Sequence, residues 1–182
     1  MKITVVLGSG RENSRSRSVV EEILRGAAAA GHEAKLYDLS SLPLLGCCNC
    51  VRCRREDRDC VLPDALQSYW QDLRESGALI VSSPNYNSMP SGAMITFLNR
   101  HYCMLTADKT PRLDHDVKLL SVFSQGAAES YTAYAEHYDW YIGCFKSKRI
   151  LDAGRIVVGG DSDLSEGSEI MRRAWHLGAE LA

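Results

Sequence analysis

The sequence has no apolar run approaching the roughly 20 residues that a membrane-crossing helix needs. Nothing at its start reads as a secretory signal, because the first apolar stretch is short and leads straight into a polar helix start. With neither feature, the expected location is the cytoplasm. Net charge is nearly absent too: 21 Lys and Arg against 23 Asp and Glu leave −2, which lacks the basic excess of a general nucleic-acid binder. There are no internal repeats, low-complexity tracts or linkers, and 182 residues suit one domain, 1–182, large enough to bury a core. Histidines lack partner spacing for a metal site: His101, His115 and His137 stand apart, and His32 and His176 sit near helix ends. Cysteine is the exception to these absences. Seven cysteines in a reducing compartment point to metal, cluster or redox chemistry before disulfides.

The chain is organised around Ile3 to Ser18, I-T-V-V-L-G-S-G-R-E-N-S-R-S-R-S. Ile3 to Leu7 is apolar, rich in β-branched residues and too short for a helix, so it reads as a strand buried on both faces. Gly8 and Gly10 then permit a sharp bend. Ser9, Ser14, Ser16 and Ser18 offer hydroxyls, and Arg11, Arg15 and Arg17 add positive charge where a helix N-terminus exposes unpaired N–H groups. Such a turn suits a phosphate monoester, although a serine-capped helix start would look much the same. Beyond it the pattern predicts a helix over 19–30, a strand over 33–37, a long loop over 39–62 and a helix over 64–76 with Leu66, Tyr69, Trp70 and Leu73 on one stripe. A strand over 78–82, a helix over 91–105, a strand over 117–123, a helix over 127–141, a strand over 155–158 and a helix over 165–181 complete it. Strands alternating with helices imply an α/β fold, a doubly wound parallel sheet with helices on both faces. Ligands in such sheets sit beyond the carboxyl ends of the strands, where strand order reverses. Three strand ends here carry polar loops, at 9–16, 84–89 and 124–127, and these are expected to meet at one crevice.

The loop after the first strand fails the dinucleotide fingerprint G-x-G-x-x-G, since Asn13 stands at the third glycine. A hydroxyl-rich loop suits a terminal monophosphate better. The ordered set G-S-G-R-E-N-S-R-S at 8–16, the cysteine run at 47–60, S-S-P-N-Y-N-S at 82–88 and S-Q-G at 124–126 resembles the flavodoxin-like superfamily. Within it the chain is similar to the NADPH-dependent FMN reductases and iron–sulfur flavoproteins, and the likeness covers nearly all of its length. The resemblance implies a five-stranded flavodoxin-like sheet in the order 2-1-3-4-5 and bound FMN. It further implies that Ser9, Arg11, Asn13, Ser14 and Ser16 hold the FMN phosphate. Pro84, Asn85, Tyr86, Asn87 and Ser88 would wrap the flavin ring, with Tyr86 beside it, and Ser124, Gln125 and Gly126 would close the other side. The chain departs from the family at Gly10, where proline is usual, and at Arg15, where asparagine is common; Arg15 could add a phosphate donor.

The cysteine-rich loop, about 44–62, reads L-L-G-C-C-N-C-V-R-C-R-R-E-D-R-D-C from Leu44. Cys47, Cys50, Cys53 and Cys60 give C-x2-C-x2-C-x6-C, and three thiolates at two-residue gaps match the ferredoxin pattern for a [4Fe–4S] cluster. The last gap is longer than in bacterial ferredoxins, but it looks like the loop of the iron–sulfur flavoproteins. Cys48 is surplus, unless the turn is shifted so that it replaces Cys47. Free thiols and a zinc site are the competing readings. Arg52, Arg54, Arg55 and Arg58 would form a solvated loop face, stabilise thiolate charge or dock an acidic electron carrier. Cys103 and Cys144 are expected as packing residues. The flavin would carry the chemistry, so no catalytic side chain is assigned. The expectation is an FMN-dependent oxidoreductase passing electrons between FMN and a [4Fe–4S] cluster. Ferredoxin or NAD(P)H would be the donor, a small molecule the acceptor, and a homodimer or homotetramer the assembly. Its rivals are a cluster-free NAD(P)H-dependent FMN or quinone reductase, a non-catalytic electron carrier (for which −2 is weakly acidic) and a zinc-stapled interaction domain.

Overall fold

The computed structural model describes residues 1–181. Along the chain run β1 (Lys2–Leu7), α1 (Arg15–Ala29), β2 (Glu33–Asp38), α2 (Arg52–Arg55), α3 (Leu66–Glu75), β3 (Ser76–Tyr86) and β4 (Met89–Pro90). Then follow α4 (Gly92–Arg100) with a 3-10 turn (His101–Met104), β5 (Val117–Ser124), α5 (Ala135–Lys146), β6 (Ile150–Val158) and α6 (Glu169–Ala179). Five strands pair in parallel in the order β2-β1-β3-β5-β6, which is the flavodoxin-like order expected. The sheet differs by one strand: β4, two residues long, pairs antiparallel with Asn85 and Tyr86 at the end of β3. So short a strand has no periodicity to read. It forms because Asn87 and Ser88 take left-handed φ values of 51° and 70°, the geometry that turns a tight hairpin.

Other boundaries shift for tertiary reasons. β3 runs to Tyr86 rather than stopping at Ser82, because pairing with β5 continues through Ser82, Ser83 and Pro84. β6 contains the expected 155–158 and begins earlier, at Ile150, and its register slips between Leu119 and Leu120 of β5. α5 begins at Ala135 rather than at 127. Gln125 Nε2 donates to the carbonyls of Ala128 (2.7 Å) and Tyr131 (3.1 Å), which holds that stretch in turns instead.

Two apolar layers sandwich the sheet. Val5, Ile80, Val122 and Ile156 face α1 and α6, where they meet Val19, Ile23, Ile170 and Ala174. Val6, Leu79, Val81 and Phe123 face the opposite layer, built on Leu66, Tyr69, Trp70, Leu73, Phe97, Tyr141 and Phe145. Adjacent residues of one strand thus serve opposite layers, as the pleat requires. The α3 stripe is buried as expected; of the α4 residues, Met94, Phe97 and Leu98 are buried while Ile95 is half-buried. Helices α1 and α6 meet through glycines: a Cβ on Gly26 would stand 2.0 Å from the Trp175 carbonyl oxygen, and one on Gly178 would stand 1.9 Å from that of Ile23. Backbone approach that close leaves no room for a side chain. In the other layer His101 is fully buried among Tyr69, Trp70, Phe97 and Phe145. Its Nδ1 donates to the Phe97 carbonyl at 2.9 Å, so its Nε2 accepts from the Tyr69 hydroxyl at 2.8 Å. The ring is neutral, because burial pulls its pKa down from 6.5 to about 3.

Two outcomes follow. Gly178→Ala is expected to lower stability by about 1–3 kcal/mol through overpacking, read as an earlier urea midpoint. Between pH 6.5 and pH 3 the unfolded chain takes up a proton on His101 that the folded chain refuses. Stability should therefore fall with falling pH, by up to about 1.4 kcal/mol per unit from this group. Urea titrations from pH 7 to pH 4 should show a shallower slope in His101→Phe than in the parent.

Candidate functional site

β1 lies between β2 and β3, so strand order reverses at its carboxyl end, and the loops after β1, β3 and β5 open there on one side. They meet. A cleft of about 360 Å³ is lined by Ser9, Arg11, Asn13, Ser14 and Arg15 of the first loop, Pro84 to Tyr86 of the second and Ser124 to Gly126 of the third, with Gly160 at its edge. The first loop is held to β3 and the start of α4: Gly8 N–H donates to Ser82 O at 2.9 Å, and the Ser91 side-chain Oγ donates to Gly8 O at 2.8 Å. Gly8 is required at this junction, because a Cβ there would stand 2.1 Å from Met94 Cγ. Ser91 N–H in turn donates to Ser83 Oγ at 2.8 Å, which fixes the start of α4 against the second loop.

Within the first loop Ser14 caps α1, its Oγ accepting from Arg17 N–H at 3.1 Å and lying 3.3 Å from Ser16 Oγ. Ser9 Oγ accepts from Arg11 N–H at 3.2 Å. The first turn of this 15-residue helix carries no acidic side chain of its own, which suits its partial positive end to an anion. Ser9, Arg11, Asn13 and Ser14 reach the cleft wall, whereas Ser16 is buried behind it as a partner of Ser14. Of the other two arginines, Arg17 pairs with Asp38 away from the cleft. Arg15 lines it but spends its Nη2 on the carbonyls of Gly159 (3.0 Å) and Ser162, tying the loop after β6 to the start of α1. In the second loop Pro84, Asn85 and Tyr86 line the cleft, Tyr86 being 48% exposed; Asn87 and Ser88 form the turn beyond them.

Tyr138 of α5 is the residue that sequence reasoning missed. Its hydroxyl donates to Gln125 Oε1 at 3.0 Å and accepts from Asn85 Nδ2 at 2.9 Å, so one side chain orients a member of the second loop and a member of the third. Its ring stacks on Phe123 with centroids 4.2 Å apart and planes 6° from parallel, and burial raises its pKa. Only the hydrophobic stripe of α5 hints at Tyr138 in the sequence. Nothing there shows which loops it would join.

The cysteine loop lies on the α3–α4 side, where a pocket is lined by Cys47, Cys48, Cys50, Cys53, Cys60 and Cys103 together with Arg100 and Tyr102. Cys103, expected as a packing residue, is buried but belongs to this thiol set; Cys144 of α5 does not. Burial pushes the Cys103 thiol up to about 12 and raises Cys53, helped by the neighbouring Cys60. On the exposed turn the Arg52 backbone N–H lowers Cys50. Asn49 and Val51 sit at φ 51° and 59°, and a β-branched residue in that region is strained. An ion pair anchors the loop: Arg100 and Asp64, both fully buried, bond each other, and Arg100 Nη1 also donates to Leu45 O at 2.7 Å. Leu45 and Leu66 N–H donate to Asp64 at 2.8 and 3.1 Å. Burial alone would raise the Asp64 carboxyl, but these donors and the Arg100 charge hold it below the usual carboxylate range. The loop arginines are largely satisfied locally: Arg52 and Arg58 pair with Glu56, and Arg54 stacks 3.7 Å over the Tyr102 ring. That leaves a solvated face. Among the described residues no group of three or more His, Cys, Asp or Glu side chains is arranged to hold a metal ion in this conformation, in which Cys47, Cys48 and Cys50 are exposed.

A doubly wound parallel sheet whose switch-point cleft is floored by a hydroxyl-rich, helix-capping loop defines a mononucleotide-binding α/β protein. The chain belongs to the NADPH-dependent FMN reductase family, which it matches over residues 1–137, and it is a flavin-dependent oxidoreductase. Two curated relatives are each called iron-sulfur flavoprotein. That of Archaeoglobus fulgidus is 25% identical over 184 residues, spanning 100% of this chain and 79% of the relative. That of Methanosarcina thermophila is 29% identical over 86 residues, 47% of this chain and 44% of the relative. Among solved structures, an NAD(P)H:quinone oxidoreductase from Methanothermobacter marburgensis superposes with a TM-score of 0.77 at 16% identity, covering 100% of this chain and 99% of that one. An azoreductase from Bacillus anthracis does so at 0.68 and 17% identity, covering 100% and 98%. At those identities the likeness is one of fold.

Tyr138→Phe keeps the ring stack but strands Asn85 Nδ2 and Gln125 Oε1. The expected outcome is an FMN dissociation constant raised about tenfold, the equivalent of about 1.4 kcal/mol, together with a lower unfolding midpoint because Gln125 Oε1 is left buried without this donor. Titrating apoprotein into FMN and following flavin fluorescence checks it.

Proposed function

We propose that the protein holds FMN in the strand-end cleft and a [4Fe–4S] cluster in the thiol pocket, and passes electrons between them. The observation that carries the FMN half is the convergence of three separate strand-end loops on one cleft. The phosphate would rest on Ser9, Arg11, Asn13 and Ser14, with Ser16 holding Ser14 in place. Hydroxyl and backbone donors at the start of α1 would neutralise its charge without a metal. Pro84, Asn85 and Tyr86 would flank the flavin ring, with the Asn87–Ser88 turn setting their angle. Ser124, Gln125 and Gly126 would close the other side, Gln125 being fixed by Tyr138.

For the cluster, the donor chemistry is right: soft thiolates select iron–sulfur centres, and Cys47, Cys50, Cys53 and Cys60 all line one pocket. Both curated relatives carry the name iron-sulfur flavoprotein. The exposed side of the loop, Cys47 to Cys50, is the part that would close over the cluster, while Cys53 and Cys60 are already buried. Bound FMN supplies hydride and single-electron chemistry, and a cluster supplies single-electron transfer. The protein's task is to position both and keep water from the flavin face. NAD(P)H or a ferredoxin is the proposed donor and a small molecule such as a quinone the acceptor, in a homodimer or homotetramer.

A second reading is a cluster-free NAD(P)H-dependent FMN or quinone reductase with free thiols. It is favoured by the want of a metal-ligating arrangement among the described residues. Anaerobic purification followed by assay of flavin, iron and acid-labile sulfide separates the two. The expected result is one FMN with about four iron and four sulfide per chain. Full flavin with no iron after reconstitution overturns the cluster and leaves the second reading.

A further inference from the structure

The loop that follows β6, at 159–163, borders the cleft through Gly160. It is zipped to the third loop. Gly160 N–H donates to Ala127 O at 2.8 Å, and Glu129 N–H donates to Asp161 Oδ1 at 2.8 Å. Ser162 Oγ accepts from Gly159 N–H at 2.9 Å and donates to Glu129 Oε2 at 3.1 Å. The two backbones lie in contact: a Cβ on Gly159 would stand 2.1 Å from Glu129 N, and one on Gly160 would stand 2.5 Å from Gly126 O. Gln125 N–H donates to Val158 O at 2.9 Å, and its side chain holds the carbonyls of Ala128 and Tyr131. Residues 125–129 and 158–162 therefore form one hydrogen-bonded unit. Arg15, the first residue of α1, fastens that unit to the first loop. Its Nη2 donates to Gly159 O at 3.0 Å and to Ser162 O, while the Arg15 side chain also lines the cleft. A charged donor makes stronger hydrogen bonds than a neutral one.

We propose that Arg15 is a latch joining the two halves of the flavin site: it fixes the unit of 125–129 and 158–162 against the start of α1, and so positions the wall that closes over the flavin ring. This rests on the FMN reading given above, and adds to that site the loop after β6 and the residue that holds it. The physical reason is the cost of ordering loops on binding, which is subtracted from affinity. A wall already fastened to a helix end bears that cost on folding instead. The Nη2 of Arg15 is engaged with protein carbonyls, so Arg15 is a positioning residue for the ring side of the site. Losing it must weaken a ligand that has the ring and lacks the phosphate.

Riboflavin is that ligand. Apoproteins of the parent, Arg15→Met and Gly160→Ala are titrated with riboflavin and with FMN, following flavin fluorescence, and backbone amide exchange is measured in each. Arg15→Met removes the latch. Gly160→Ala pushes the two loops apart and leaves Arg15 in place. The expected result is a riboflavin dissociation constant raised about tenfold in both variants. Amide exchange should quicken at 125–129 and 158–162 and stay unchanged in β1, β3 and β5, which shows the sheet intact. Should Arg15→Met fail to fold, Arg15→Lys keeps the charge on a different donor geometry, and is read in the same way with a smaller rise. Riboflavin binding unchanged in the Arg15 variant overturns the latch, even where FMN alone is weakened, because Arg15 would then act only on the phosphate. Unchanged exchange at 125–129 and 158–162 overturns it as well. Either result leaves the FMN reading intact, whereas a parent protein that binds neither flavin overturns both.

Discussion

Gly8 sits where β1 passes into its loop, and the absence of a side chain there lets that loop lie against β3 and α4. Its N–H is taken by Ser82 O of β3 and its carbonyl by Ser91 Oγ at the start of α4, and Met94 occupies the space that a Cβ would need. Two segments far apart in sequence are thereby joined backbone to backbone at the point where strand order reverses. A crevice at that point is a consequence of topology. From the Gly8 junction the first loop turns so that Ser9 and Ser14 line the cleft, while Ser16 lies beneath as support.

The second organising contact is the buried pair of Arg100 and Asp64. The loop from Leu39 to Leu62 buries Leu39, Cys53 and Cys60 and packs Leu42, Leu44 and Leu62 on the core, and its polar stretch is held by a further anchor. Asp64 accepts from Leu45 and Leu66 N–H, and Arg100 donates to Leu45 O, so both ends of the loop meet at one ion pair. Breaking one partner of such a pair is far more disruptive than replacing both. The strained left-handed residues Asn49 and Val51 persist because the ends of the loop are fixed in this way.

The two sites lie on different parts of the same frame. The cleft depends on the carboxyl ends of β1, β3 and β5, and the thiol pocket depends on α3, α4 and the 3-10 turn after α4. Tyr138 and Arg100 play parallel roles. Each stands on a helix outside the loops it serves, and each joins segments that the chain itself keeps apart. Rigid elements therefore orient flexible ones, which is how precision is built into sites made of loops.

Much of this was legible in the chain. Alternation of short β-branched runs with amphipathic helices determined the sheet type, since those periods suit only strands covered on both faces. The hydroxyl-rich turn after Leu7 and the C-x2-C-x2-C spacing marked both candidate sites, because local chemistry and local spacing suffice for them. Family membership was legible from the ordered motifs. What the sequence did not show were contacts between distant segments. The late start of α5 comes from Gln125 capturing carbonyls of the following turn, and the extra strand β4 comes from two left-handed residues. Cys103 read as a packing cysteine until the fold set it beside Cys60, and Arg15, a candidate phosphate donor, proved to hold the loop after β6. Sequence alone determined which elements form and which residue types gather at strand ends, because propensity and periodicity act over a few residues. Only the tertiary structure decided which of those residues meet, because a contact between Arg100 and Asp64, or between Tyr138 and Asn85, depends on how whole helices and strands pack rather than on anything in the residues between them.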